Sequence, residues 1–139
     1  MSYYLTKSKP DIFRLQPFLA TSPEDARWTV CKDAEIGDTL FIGLSGKEAG
    51  IYATAAIISL PTYGGEAPDF WEDRIEAAKP RWRAEIEFRQ ILHSPLLVHS
   101  LAAAPELKRI ARWLHIQGAA CHLTEEEAEA LNRLVAATY

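Results

Sequence analysis

Apolar and polar positions change period several times along the chain, and each change marks an element. Ser2 to Thr6 carries Tyr-Tyr-Leu and reads as an opening strand, ended by Lys7-Ser8-Lys9-Pro10. Pro10 suits the first turn of a short helix over Asp11 to Leu15. Residues 16 to 26 contain two prolines and the polar cluster Thr21-Ser22-Pro23-Glu24-Asp25, a loop with room for one helical turn. Three consecutive strands are then expected. Trp28 to Cys31 is short, and Asp38 to Leu44 opens at the Gly37-Asp38 turn. Ile51 to Leu60 follows the turn that starts at Ser45-Gly46-Lys47. The last of these is apolar at nearly every position, as expected of a strand covered on both faces. Arg27 to Pro61 therefore reads as the centre of a sheet.

Pro61 to Pro68 reads as a loop, because two glycines and two prolines fall within it. Phe70-Trp71 follows, and the charged run Glu72 to Lys79 suits a helical turn. From Arg81 to Leu92 the period is two, with Trp82, Ala84, Ile86 and Phe88 on one face and Arg83, Glu85, Glu87 and Arg89 on the other. Ser94-Pro95 is expected to end that strand, and Leu96-Leu97-Val98 to form a short edge strand. Pro105 to Leu114 has helical spacing, with Leu107, Ile110, Ala111 and Leu114 on one side. The last helix starts at Thr124, with Glu127 placed for a capping box and Leu123 for a staple onto Ala128. No repeat or interdomain linker interrupts the pattern. The expected fold is α+β: five or six strands with two or three short helices, closed into a small curved barrel by short strands and tight turns.

Composition narrows the class. A chain of 139 residues suits one domain, 1–139, and 48% hydrophobic with 24% charged residues is ordinary for a globular protein. The longest apolar run, Ala49 to Leu60, falls well short of the roughly 20 residues of a membrane span. The N-terminus lacks a signal-peptide layout, so a cytoplasmic protein without membrane contact is expected. Net charge of −4 argues against gripping duplex DNA by charge alone. The charge is uneven, however: Phe70 to Arg112 is slightly basic, while the stretch from Trp113 onward is acidic. The cysteines, Cys31 and Cys121, are expected to be free thiols. They show no zinc spacing with His93, His99, His115 or His122, and neither metal nor cofactor is expected.

Six pieces in order carry a resemblance: Tyr4-Leu5-Thr6-Lys7-Ser8-x-Pro10, Trp28-x-Val30, Ile36-Gly37-Asp38, Ser45-Gly46-Lys47-x-x-Gly50-Ile51, Pro80-Arg81-Trp82 and Leu123-Thr124-Glu125-Glu126-Glu127. Together they resemble the EVE domain, of the PUA-like superfamily and related in fold to the YTH domain. The resemblance implies a small barrel with a pocket for one nucleobase flipped out of a nucleic acid. The typical ligand is methylated or hydroxymethylated cytosine in DNA for EVE domains, and N6-methyladenine in RNA for YTH domains. It also implies a non-catalytic reader in a modification-dependent restriction system, with a fused or separate nuclease as partner.

By the same resemblance, Trp28 stacks on the base and Trp71 supplies the second aromatic of the cage. Thr29 contacts the base edge through its backbone, Lys7 and Ser8 border the pocket, and Ser45 and Lys47 lie at its mouth. Such a cage fits the chemistry, since base–aromatic stacking contributes about 1–3 kcal/mol per base. Arg81, Arg83, Arg89, Lys108, Arg109 and Arg112 are candidates for phosphate contact, along with Lys47. Each candidate also has an ordinary structural reading. Trp28 suits a core tryptophan, Trp71 a loop anchor, and the cations a solvated strand or helix face. Trp82 reads as core. Two other functions stay open at this point: an RNA N6-methyladenine reader, and a small hydrolase or nuclease using His and carboxylates.

Overall fold

Among the described residues, seven strands form one mixed sheet: β1 (Tyr3–Ser8), β2 (Asp25–Thr29), β3 (Thr39–Leu44), β4 (Gly50–Ile57), β5 (Thr62–Gly64), β6 (Arg81–Leu97) and β7 (Ala120–Leu123). The computed structural model describes residues 1–9, 13–64, 79–116 and 120–138. The strand order is β2-β6-β4-β3-β1-β7, and β5 pairs with β6. Only β1 and β3 run parallel among the described pairs. Among the described residues the helices are α1 (Leu15–Ala20), α2 (Val98–Ala102), α3 (Lys108–Trp113, entered through a 3-10 turn at Pro105–Leu107) and α4 (Glu125–Ala137). No helix among the described residues is long and apolar enough to cross a membrane.

The central strands are buried on both faces, which explains their near-continuous apolar sequence. Every residue of β4 is buried. Alternation then divides the core into two layers. Tyr4, Leu40, Ile42, Trp28 and Ile86 pack on one face with Leu15 and Leu19 of α1. Leu5, Phe41, Ile51, Leu92 and Leu96 pack on the other, under Leu101, Ile110, Leu131 and their neighbours in α2, α3 and α4. Each fully buried Leu, Ile or Phe contributes about 1.5–3 kcal/mol, so both layers are needed to hold the sheet.

The expected turns form at positive-φ glycines, Gly37 at 96° and Gly46 at 93°. Asp38 fixes the first of them. It is buried, and its carboxylate accepts the Ser2 and Glu35 backbone N–H groups, both at 2.9 Å.

Several elements differ from expectation. The barrel is not closed: β2 and β7 share no ladder among the described residues. The sheet nevertheless curls until side chains meet across the gap. Trp28 on β2 donates its indole N–H to Thr6 on β1 at 3.2 Å, and Asp33, just after β2, lies 3.5 Å from His122 on β7. The sheet has seven strands rather than five or six because β5 and β7 form from short stretches that lack a period-two pattern. Ser94-Pro95 does not end β6, which runs on to Leu97. Its pairing with β4 steps from Ala53↔Ile91 to Ile51↔Leu96, so Pro95 lies in an irregularity where it need not donate to the ladder. Residues 98 to 102 are helical, where an edge strand was expected to end. The first described helix is Leu15–Ala20, and Phe13 and Arg14 of the expected Asp11 to Leu15 helix are not helical; residues 11 and 12 lie outside the described residues. Pro10, Trp71 and the expected turn over 72 to 78 lie outside the described residues.

Candidate functional site

Trp28 lies near the end of β2, opposite Ala84 of β6. It is only 8% exposed. Phe18 of α1 stacks on it, with ring centroids 5.8 Å apart and planes 28° from parallel. Phe13 and Phe88 abut it edge-on, at 5.4 and 6.3 Å. The Thr6 hydroxyl satisfies its N–H, as a buried indole requires. The indole is therefore fixed at its polar end and covered by rings rather than presented in an open cage. Two of these rings, Phe13 and Phe18, arrive on and just before α1, a six-residue helix whose N-cap Arg14 makes no side-chain cap bond.

The alternation of β1 separates the polar candidates. Tyr4 and Thr6 face Trp28, and Ser8 follows at the same period. Ser45 donates both its N–H, at 2.9 Å, and its hydroxyl, at 3.3 Å, to the Ser8 carbonyl, so these two candidates do come together. Thr29, half-buried, pairs with Arg83. Lys7 departs from the expectation because it points to the opposite face. Its ammonium donates to the Trp113 and Ile116 carbonyls and sits 4.1 Å from the Trp113 ring centroid. It closes the C-terminal end of α3, where a cation is favoured. Burial lowers its pKa from the usual lysine value.

The phosphate candidates also separate. Arg83 is 1% exposed and donates to the carbonyls of Gly64 and Lys79, so it serves the sheet rather than a polyanion. Arg109 grips Glu127 with two bonds, Nε at 2.8 Å and an Nη at 2.6 Å, and also reaches the His122 carbonyl at 3.0 Å. Glu127 in turn accepts the Thr124 N–H at 2.9 Å, which completes the expected capping box of α4. Burial alone would raise the Glu127 carboxyl. The bonds from Arg109 and Thr124, with the Arg109 charge, outweigh it and hold the carboxyl below its usual range. Arg89 pairs with Glu87 at 3.0 Å. Arg81 is half-buried, while Lys47, Lys108 and Arg112 are exposed. Of these three only Lys47 adjoins Ser45, whereas Lys108 and Arg112 sit on α3, in the opposite helix layer.

Two further features were not foreseen. A groove of about 470 Å³ runs between Ser22–Asp25 and Glu87–Ile91, and Phe88 is common to it and to the Trp28 cluster. Glu24, Asp25 and Glu87 on its walls disfavour a phosphate there. At the open seam of the sheet, the ligand atoms of Cys31, Asp33 and His122 lie within 4.8 Å of one another. Both cysteines are free and half-buried. Burial, with the Asp33 charge, pushes the Cys31 thiol up to about 11. Burial and the Asp38 and Asp33 carboxylates push the neighbouring Tyr4 hydroxyl up to about 12.

The sequence profile of the EVE domain matches residues 2–134. The chain belongs to the EVE domain family. Solved structures share the fold of this EVE domain. A hypothetical protein from Leishmania major aligns with a TM-score of 0.70 and 17% identity, covering 99% of this chain and 96% of that one. Human THYN1, in complex with DNA containing 5-methylcytosine, aligns at 0.67 and 18% identity over 96% and 97%. A Pseudomonas syringae protein aligns at 0.64 and 24% identity over 95% and 98%. None of the curated proteins matches the chain in sequence. At these identities the structural likeness establishes the fold of the EVE domain. Periodicity could not have found the Phe13–Phe18–Trp28–Phe88 cluster, since it joins three separate elements. The alternation Tyr4, Thr6, Ser8 was the one available signal that Lys7 faces away from Trp28.

Proposed function

We propose that this EVE domain is a non-catalytic module that binds DNA at a modified base, a methylated or hydroxymethylated cytosine flipped out of the helix to stack on Trp28. The observation that carries the reading is the state of that indole. Its N–H is tied to Thr6, while its stacked neighbour Phe18 rides on the short helix α1. Phe18 now covers the face of Trp28, with ring centroids 5.8 Å apart and planes 28° from parallel, so a base stacks on that face only as Phe18 moves away. Family membership and the complex of THYN1 with 5-methylcytosine DNA support the choice of ligand.

The energetics are consistent with a reader. Stacking contributes about 1–3 kcal/mol, against an extrusion cost of a few kcal/mol. A buried methyl adds about 0.8 kcal/mol. Ser8 and Ser45, tied together at the ends of β1 and β3, are the polar groups proposed for the base edge, and Lys47 is the exposed cation beside them. Trp71 keeps its proposed role as the second aromatic. The restriction setting and a nuclease partner are the outer part of the proposal, and the family resemblance is what supports them.

Tryptophan fluorescence tests the reading. Titration with a duplex carrying one 5-methylcytosine should quench emission, and Trp28→Phe, which keeps an aromatic in the core, should remove most of that quenching while circular dichroism stays unchanged. Undiminished quenching in Trp28→Phe would place the base elsewhere.

A further inference from the structure

We propose that Cys31, Asp33 and His122 form a binding site for a borderline-soft divalent cation of the zinc type, fastening the seam that the sheet leaves open. The inference does not rest on the base-binding reading.

The first ground is geometry. One ligand atom from each residue falls within 4.8 Å of the other two, and the His122 Nε2 to Asp33 Oδ2 distance is already 3.5 Å. With Zn–S near 2.3 Å and Zn–N and Zn–O near 2.0–2.2 Å, donors in a tetrahedral site lie about 3.3–3.7 Å apart. Contraction of about an ångström suffices. The Asp33 and His122 side chains, 69% and 58% exposed, have the freedom to make it.

Placement supports the same conclusion. Cys31 and Asp33 sit two residues apart on the connection after β2, and His122 sits on the edge strand β7. The residues come from the two ends of the strand order, which no ladder joins among the described residues. His122 is held from two sides. Its ring lies 4.6 Å from that of Tyr4, its cross-strand partner, and its carbonyl accepts from Arg109. With three protein donors, a fourth tetrahedral position remains beside the exposed Asp33 and His122 side chains. It would take water, or an anionic or imidazole ligand from outside.

Donor chemistry selects the metal class. A thiol, an imidazole and a carboxylate suit zinc, and cobalt as its spectroscopic substitute, whereas calcium and magnesium take oxygen ligands. The sequence spacing hid the set, because His122 is far from Cys31 in the chain and only the curl of the sheet brings them together. A cation here would pin the backbone three residues beyond Trp28.

The test is titration of the full chain with Co²⁺. One equivalent should produce a thiolate-to-cobalt charge-transfer band and the visible bands of tetrahedral cobalt, and Zn²⁺ should displace both. Cys31→Ser should abolish the charge-transfer band, and His122→Ala should weaken binding at least tenfold. Cys121→Ser, which removes the other thiol, should leave the spectrum unchanged. Because His122 is exposed, its variant should keep the wild-type circular dichroism and provides the decisive arm if Cys31→Ser fails to fold. Zn²⁺ should also raise the melting temperature of the wild type but not of His122→Ala. Absence of the bands in the wild type, their full retention in His122→Ala, or their loss in Cys121→Ser would overturn the proposal.

Discussion

Arg109 has two competing roles, and one pair of substitutions separates them. In the structure it is the partner of Glu127, a carboxylate only 4% exposed that also completes the N-terminal cap of α4. The Arg109 side chain is itself 52% exposed. This asymmetry predicts unequal costs. Arg109→Ala leaves a buried carboxylate with only the Thr124 N–H, and loses charge-assisted bonds of about 1.5–3 kcal/mol before solvent at the exposed guanidinium is considered. An expected loss of about 2 kcal/mol corresponds to roughly 6–10 °C in melting temperature for a domain of this size. Glu127→Gln keeps an acceptor for Thr124 and leaves a guanidinium that water can solvate, so about 1 kcal/mol is expected. The pH dependence has a definite sign. Glu127 has a depressed folded-state pKa, so its advantage over Gln is fully present above the unfolded value near 4.3 and is lost as pH falls through the folded value. Urea unfolding of both variants and the double variant, at neutral pH and near pH 3, measures these terms. Arg109→Ala should also leave the salt dependence of DNA binding unchanged, since a lost phosphate contact would lower the slope by about one. The reasoning fails if Arg109→Ala costs less than Glu127→Gln, or if the gap between wild type and Glu127→Gln widens in acid.

Other substitutions probe the frame. Gly50→Ala should abolish soluble folded protein or lower stability by several kcal/mol, well above the ordinary ~1 kcal/mol of a point change, because its Cβ would stand 2.3 Å from the Leu96 carbonyl oxygen; thermal melting checks this. Asp38→Ala frees two N–H groups, those of Ser2 and Glu35, and should cost about 1–3 kcal/mol in urea unfolding. Thr6→Val leaves the Trp28 N–H buried without its acceptor and should cost a similar ~1–3 kcal/mol, with a shift in tryptophan emission that Ser at the same position should not produce.

The central strands and the last helix were legible because their signals are local. The Thr124–Glu127 box and the turns at Gly37 and Gly46 each depend on residues a few positions apart. Elements set by distant partners were not legible. The stretch Ala120–Leu123 is a strand because Tyr3–Thr6 pairs with it, and Pro95 stays within β6 because its pairing with β4 is irregular there. The candidate site followed the same division. Trp28, Ser8 and Ser45 were singled out from motif positions, and the structure joins Ser8 to Ser45. It gives Lys7, Arg83 and Arg109 to structural work, because each finds carbonyl or carboxylate partners that only the folded chain assembles.

The most direct test of the central claim is the ratio of dissociation constants for two duplexes of one sequence, with and without a single 5-methylcytosine, at one fixed salt concentration. The account predicts tighter binding to the methylated duplex by at least about fourfold, the value of one buried methyl at ~0.8 kcal/mol, and loss of that preference in a Trp28→Ala variant that keeps the wild-type circular dichroism. Equal affinity for the two duplexes, or a preference that survives in folded Trp28→Ala, would contradict it.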